Sequence, residues 1–314
     1  MTSFNLSQAI GSLKSPILVV GWPGLGNVAS SCVRTLINST NSVVVSALDP
    51  RDHFDIEDIE VKNGVCFPGK LPQLLFRIIV TNSDHDLVVF TPESQPQSES
   101  MELAQKLISV ALSTFNIEKV ITFAAISGAV EPEDDPKVSF ATTDSVFGEE
   151  IARLGIDPIK DQRISGLNGL TLMAGYEKGI MGACLASEIP IWGLHTINPK
   201  TTKILLQAFC RLVNLRLNLD HLNSQISELE ESMIRQRDSI RLGLNSDLHM
   251  ESSYANEDLT KSEVNKSDLD ELELLFSRAI FDRSQASILK AELDRLGLYE
   301  KYEDRFLDIF REWS

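Results

Sequence analysis

The chain has 314 residues, of which 43% are hydrophobic and 24% charged. That is the composition of an ordinary globular protein, and it excludes global disorder. The formal net charge of −16 excludes the basic footprint that nucleic acid or an anionic lipid surface requires. It predicts solubility or a basic surface on a partner.

Residues Met1–Leu13 show no basic stretch followed by an apolar run, so no signal peptide is expected. No stretch reaches the ~20 apolar residues of a membrane span. A cytoplasmic location and no membrane contact follow as expectations. The four cysteines, Cys32, Cys66, Cys184 and Cys210, are far apart and show no metal-ligand spacing. They read as buried, reduced thiols rather than a disulfide framework.

In chain order, Pro16-Ile-Leu-Val-Val-Gly21 predicts a buried strand and Val28 to Ile37 a helix. Asn41 to Leu48, Leu74 to Thr81 and Leu87 to Thr91 predict three more strands, with a turn over 82–86. Ser98 to Phe115 has helical spacing, and Val120 to Ala125 follows as a strand. Leu170 to Ala174 reads as a strand, Ile180 to Glu188 as a helix, and Ile191 to His195 as a closing strand. Strands alternating with helices predict a three-layer α/β core over residues 1–200, with a mostly parallel sheet.

Beyond Pro199 the pattern changes. Leu205, Ala208, Leu212, Leu215, Leu219, Leu222, Ile226, Leu229 and Met233 recur at alternating steps of three and four, with no Pro or Gly between them. This predicts one long helix, packed either as a coiled coil or on the core. Leu212, Leu215, Leu219, Leu222, Ile226 and Leu229 are the candidate oligomer or partner face. Residues 201–314 therefore read as a helical C-terminal region with a polar linker near 243–268. Helices over 268–281, 284–296 and 299–313 are expected after it. The aromatic residues Tyr302, Phe306, Phe310 and Trp313 are expected to dock on something.

The most informative short segment is Gly21-Trp-Pro-Gly24-Leu-Gly26-Asn27, between a strand and a helix. Glycines there allow positive φ, and amides at a helix start attract anions, so a phosphate or carboxylate site competes with a plain tight turn. The spacing matches neither GxGxxG nor the P-loop. Glu93, Ser127-Gly128 and Asn168 follow or flank other predicted strands, where α/β proteins place their sites. Gly24, Gly26, Asn27, Glu93, Ser127, Gly128 and Asn168 are thus a candidate ligand-binding rim. The carboxylates of Glu131-Pro-Glu-Asp-Asp-Pro136 read as a solvated loop or a cation site. No GxSxG elbow, triad or metal spacing involves His53, His85, His195, His221 or His249. No catalytic residue, metal or cofactor is assigned.

Taken in order, three segments resemble the proteasome assembly chaperone 2-like family: Pro16-Ile-Leu-Val-Val-Gly-Trp-Pro-Gly-Leu-Gly-Asn-Val-Ala29, Phe90-Thr-Pro-Glu-Ser-Gln-Pro96 and Ile164-Ser-Gly-Leu-Asn-Gly-Leu170. Asn198 to Leu206 matches in style, and the resemblance covers about residues 10–235. It implies a three-layer fold similar to nucleoside phosphorylases and related hydrolases, a helical C-terminal extension, and self-association. It implies a prokaryotic member acting as an oligomeric, protein-binding scaffold, with itself (dimer or trimer), proteasome subunits or another protein as partner. The ending Glu312-Trp313-Ser314 departs from the hydrophobic-Tyr-X tail of certain archaeal members. The alternative function is a small-molecule enzyme with a phosphorylase- or hydrolase-like site at the strand ends.

Overall fold

A computed structural model describes residues 6–56, 58–98, 100–128, 130–160, 164–190, 193–194, 196–254, 269, 272–276, 279, 286–299, 301–303 and 305–306. They form two compact units, 1–234 and 235–314.

The first unit is built on an eight-stranded sheet. Its strands are β1 (Ile17–Val20), β2 (Val43–Ala47), β5 (Leu74–Ile79), β6 (Leu87–Pro92), β7 (Lys119–Gly128), β8 (Val138–Thr142), β9 (Asp157–Pro158) and β10 (Met181–Pro190). The order is β2-β5-β6-β1-β7-β10-β8-β9. The centre is parallel, β6-β1-β7-β10, while β2, β5 and β8 join antiparallel. A separate hairpin pairs β3 (Ile59–Lys62) with β4 (Val65–Pro68).

The continuous apolar runs of β1 and β7 follow from burial on both faces, which parallel strands covered by helices require. Ile17, Val19, Ile121 and Phe123 face one core, lined by α2 (Val28–Asn38), α4 (Ser145–Ala152) and α6 (Pro199–Leu212). Leu18, Val20 and Val120 face the other, lined by α1 (Leu6–Gly11), α3 (Ser100–Phe115) and α5 (Gly166–Glu177). Two helical layers enclose one sheet, so the three-layer α/β expectation holds.

Two expectations are exchanged. Leu170 to Ala174 lies in helix α5, and the segment expected as a helix over Ile180 to Glu188 is strand β10 from Met181 on. Helix α5 buries Leu167, Asn168, Thr171, Leu172, Ala174 and Gly175, a helical spacing hidden by apolar residues on its flanks. Strand β10 is rich in small residues because a helix lies close on each side. A Cβ on Gly182 would stand 3.0 Å from the Leu172 side chain. The closing strand expected at 191–195 falls largely outside the described residues, and Gly193 and Leu194 form a turn.

The single long helix is also corrected. α6 ends at Leu212, and α7 (Leu222–Tyr254) begins ten residues later. Asn214 turns left-handed at φ 51°, and the Leu215 N–H reaches back to the Cys210 carbonyl at 2.9 Å, a Schellman-type stop. Asn218 then accepts from the Asp220 N–H at 2.8 Å. Leu219 and Leu222 belong to the core of the first unit, and Leu212, Leu215 and Ile226 pack against it. The apparent heptads record core packing by two successive helices and by Leu215 and Leu219 in the loop between them. Leu229 is half-buried.

Residues 243–254, read as linker, continue α7, and 255–268 lie outside the described residues. The second unit has a core of its own. Leu272, Phe276, Leu289 and Leu293, the last two on α8 (Ala286–Arg295), meet Tyr302 and Phe306. Phe310 and Trp313 lie outside the described residues. No helix among the described residues is long and apolar enough to cross a membrane.

Candidate functional site

The parallel strands deliver their C-terminal ends to one edge of the sheet. The turn after β1, Glu93 after β6, and Ser127-Gly128 at the end of β7 therefore converge there, as α/β topology dictates. Asn168 is brought to the same edge by the first turn of α5.

At this rim the polar groups are occupied by the chain itself. Trp22 is fully buried. Its N–H donates to the Asn168 side-chain oxygen at 3.0 Å, and Asn168 Nδ2 donates back to the Trp22 carbonyl at 3.2 Å. The indole N–H donates to Thr171 Oγ1 at 3.1 Å, one helical turn further along α5. Gln95 Nε2 donates to the Pro23 carbonyl, and its Oε1 accepts from the Leu167 N–H at 3.4 Å. One turn is thus held from two sides.

The glycine turn is a short 3₁₀ segment, Leu25–Asn27, with Gly26 at φ 58° and Asn27 at φ 48°. Two successive left-handed residues reverse the chain between strand and helix, and glycine carries one of them at little cost. The Gly26 N–H donates to the Leu194 carbonyl at 3.0 Å, and the Gly26 carbonyl accepts from the Asn198 N–H at 3.3 Å. The Asn27 N–H is tied to the Gly24 carbonyl at 2.8 Å. The Val28 N–H is tied to the Leu25 carbonyl. Three successive amides that could have cradled a phosphate, those of Gly26, Asn27 and Val28, are thus bonded within the chain. Gly21 explains the close packing behind the turn, since a Cβ there would stand 2.2 Å from the Ala29 carbonyl oxygen.

Glu93 is exposed, and it closes the mouth of the β5–β6 hairpin. Its carboxylate accepts from the Gln73 N–H at 2.7 Å, and its own N–H donates to the Gln73 carbonyl at 3.1 Å. Ser127 faces the α2–α6 side of the sheet. Its Oγ and that of Ser187 on neighbouring β10 are buried with no hydrogen-bond partner among the described residues. Gly128 packs on the Glu188 side chain, which would meet a Cβ at 3.1 Å. The candidate rim residues do come to one edge, and most of them hold loops there.

The acidic loop 131–136 is organised by a lysine. Lys200 donates to the carbonyls of Pro132 and Glu133 at 3.2 and 3.1 Å and pairs with Glu230 at 2.6 Å. Among the described residues no group of three His, Cys, Asp or Glu could hold a metal. His195 lies outside the described residues. The cysteines divide by burial. Desolvation raises the Cys32 thiol well above its ordinary value and pushes Cys184 up to about 12 and Cys210 to about 11. Cys66 is exposed on β4, which corrects the expectation that all four are buried.

Sequence reading missed an exposed apolar hairpin. Asn63 and Gly64 are both left-handed, at φ 51° and 81°, and turn β3 into β4. Asn-Gly between alternating apolar residues was the available signal. Glu60, Lys62, Val65 and Phe67 share one face of this hairpin. There Lys62 sits 5.9 Å over the Phe67 ring, and Glu60 pairs with Lys62 and Lys70. Ile59, Val61, Cys66 and Pro68 share the other face, and all are exposed. Ile59 and Val61 are each 62% exposed.

Comparison with known proteins follows the same boundaries. An uncharacterised protein of Methanocaldococcus jannaschii is similar, at 24% identity over 225 residues that span 71% of this chain and 83% of that protein. Pyrococcus furiosus PbaB, an archaeal proteasome activator, superposes with a TM-score of 0.61 at 20% identity, over 72% of this chain and 95% of its own. A Streptomyces avermitilis PAC2 family protein superposes at 0.60 with 21% identity, over 71% and 97%. Pyrococcus furiosus PbaA, an archaeal homolog of proteasome-assembly chaperone, superposes at 0.55 with 17% identity, over 74% and 96%. These structures share the fold. The PAC2 family model matches residues 18–237, a span that runs from within β1 into α7 and takes in every turn at the rim, and the chain belongs to the PAC2 family.

Proposed function

We propose that this protein is a binding scaffold, which associates with itself and with proteasome subunits through the bare face of the β3–β4 hairpin. The exposed quartet Ile59, Val61, Cys66 and Pro68 carries this reading. A two-stranded hairpin is marginal in water by itself. One face of this hairpin mixes Glu60 and Lys62 with the exposed Val65 and Phe67, and the other carries no charge at all, which favours cover by another protein. The β2 edge strand adds Val43 and Val44, 40% and 45% exposed. Family membership supports the partner class, since similar folds include a proteasome activator and a proteasome-assembly chaperone homolog.

The rival reading, an enzyme with a site at the strand ends, draws less support. Asn168, Gln95 and Glu93 all bond to backbone at that edge.

Light-scattering mass of the full-length chain tests self-association. The wild type is expected as a discrete oligomer and Val61→Asp as a smaller species with unchanged circular dichroism. A monomeric wild type would remove the self-association part of the proposal.

A further inference from the structure

A second feature lies away from the strand-end rim. The start of β8, residues 155–157 leading into β9, the outer face of α6 and residues 215–219 enclose a cleft of about 720 Å³. That volume is in the range of small-molecule sites. Ile156, Ala208 and Leu219 form its floor, each 5–6% exposed, beside half-buried Ile204, Leu215 and Leu217. Lys137, Arg211 and Arg216 stand exposed around it, against a single lining carboxylate, Asp157. Arg211 donates through one nitrogen to the Leu154 carbonyl, which fixes its guanidinium and leaves most of its donors free. Among the described residues none of these three cations is ion-paired. On a chain of formal net charge −16, three cations around an aliphatic floor are a local reversal of sign.

The lining selects its ligand. Arginine and lysine ask for an anionic head, and guanidinium matches a carboxylate well. The floor asks for an aliphatic body, because no aromatic ring lines the cleft to stack on a base. Pairing with an added peptide strand is poorly offered. β9 is two residues long, and Pro158 has no N–H to donate. We infer that this cleft binds a small aliphatic carboxylate, with its chain on Ile156, Ala208 and Leu219 and its head among Lys137, Arg211 and Arg216. The inference is independent of the protein-binding reading, and either can fail without the other.

Decanoate, kept below micelle-forming concentration, is the probe, titrated calorimetrically into the full-length protein with decylammonium as the charge control. Decanoate is expected to bind one per chain and decylammonium not to bind. The Lys137→Gln/Arg211→Gln/Arg216→Gln variant, altered only at exposed positions, should bind about tenfold more weakly or worse. Cys210 lines the same cleft, so saturating decanoate should slow its alkylation several-fold, followed peptide by peptide with mass spectrometry. Absence of binding, equal binding of decylammonium, or binding that leaves the Cys210 rate unchanged overturns the proposal.

Discussion

Asn168 clamps Trp22 across 146 residues of sequence, accepting from its N–H at 3.0 Å and donating to its carbonyl at 3.2 Å. The pair joins the turn after β1 to the start of α5, so one amide side chain sets the geometry of the strand-end rim. Asn168→Ala leaves both backbone groups of a buried residue unmet. It should destabilise the first unit by about 2–4 kcal/mol, read from urea unfolding. Asn168→Asp keeps the acceptor but sets a carboxylate against a carbonyl, so it should recover little of that loss.

The glycines of the same turn differ sharply in their tolerance. Gly21→Ala brings a Cβ to 2.2 Å from the Ala29 carbonyl oxygen, a backbone atom that cannot step aside. It should cost about 3 kcal/mol or more, or prevent soluble expression. At Gly24 the nearest atom to a Cβ is 4.0 Å away, and the backbone is extended. Gly24→Ala should melt within a few degrees of the wild type.

Thiol reactivity should rank by burial. The thiolate is the nucleophile, so a raised pKa slows attack at a given pH. At pH 8 one thiol per chain, Cys66, should react rapidly with Ellman's reagent. Cys210, pushed up to about 11, should react slowly, with a rate rising about tenfold per pH unit below that value. Cys32 and Cys184 should react only on unfolding. Rapid reaction of all four in the native state would contradict the described core.

The second unit is held by a different contact. Arg305 grips the Glu273 carboxylate with two bonds, 2.5 and 2.6 Å, and lies 4.2 Å over the Phe276 ring. Glu273 is 7% exposed while Arg305 is about half exposed, so solvent screens part of the pair. Arg305→Met should weaken this unit by about 1–3 kcal/mol, seen as faster amide exchange at Leu289 and Leu293. Adding Glu273→Met should restore part of the loss, because the buried carboxylate is then gone.

The centre of the sheet was legible because parallel strands buried on both faces must be continuous apolar runs, as in β1. Where both a helix and a strand are buried, composition misleads. Helix α5 looked extended through its run of apolar residues, and β10 looked helical through its small residues, whose size is set by close helices on both faces. The break between α6 and α7 depended on Asn214, whose left-handed turn is permitted but not dictated by sequence. The rim residues could be listed from strand ends. Their roles could not, because the partners of Asn168 and Gln95 are 146 and 72 residues away.

Native mass spectrometry of the full-length chain mixed with purified proteasome α-subunits tests the scaffold reading most directly. A scaffold gives a discrete mixed complex, lost in Val61→Asp and accompanied by protection of Cys66 from alkylation. Two components that stay separate at micromolar concentration, with Cys66 equally reactive alone and in the mixture, would contradict it.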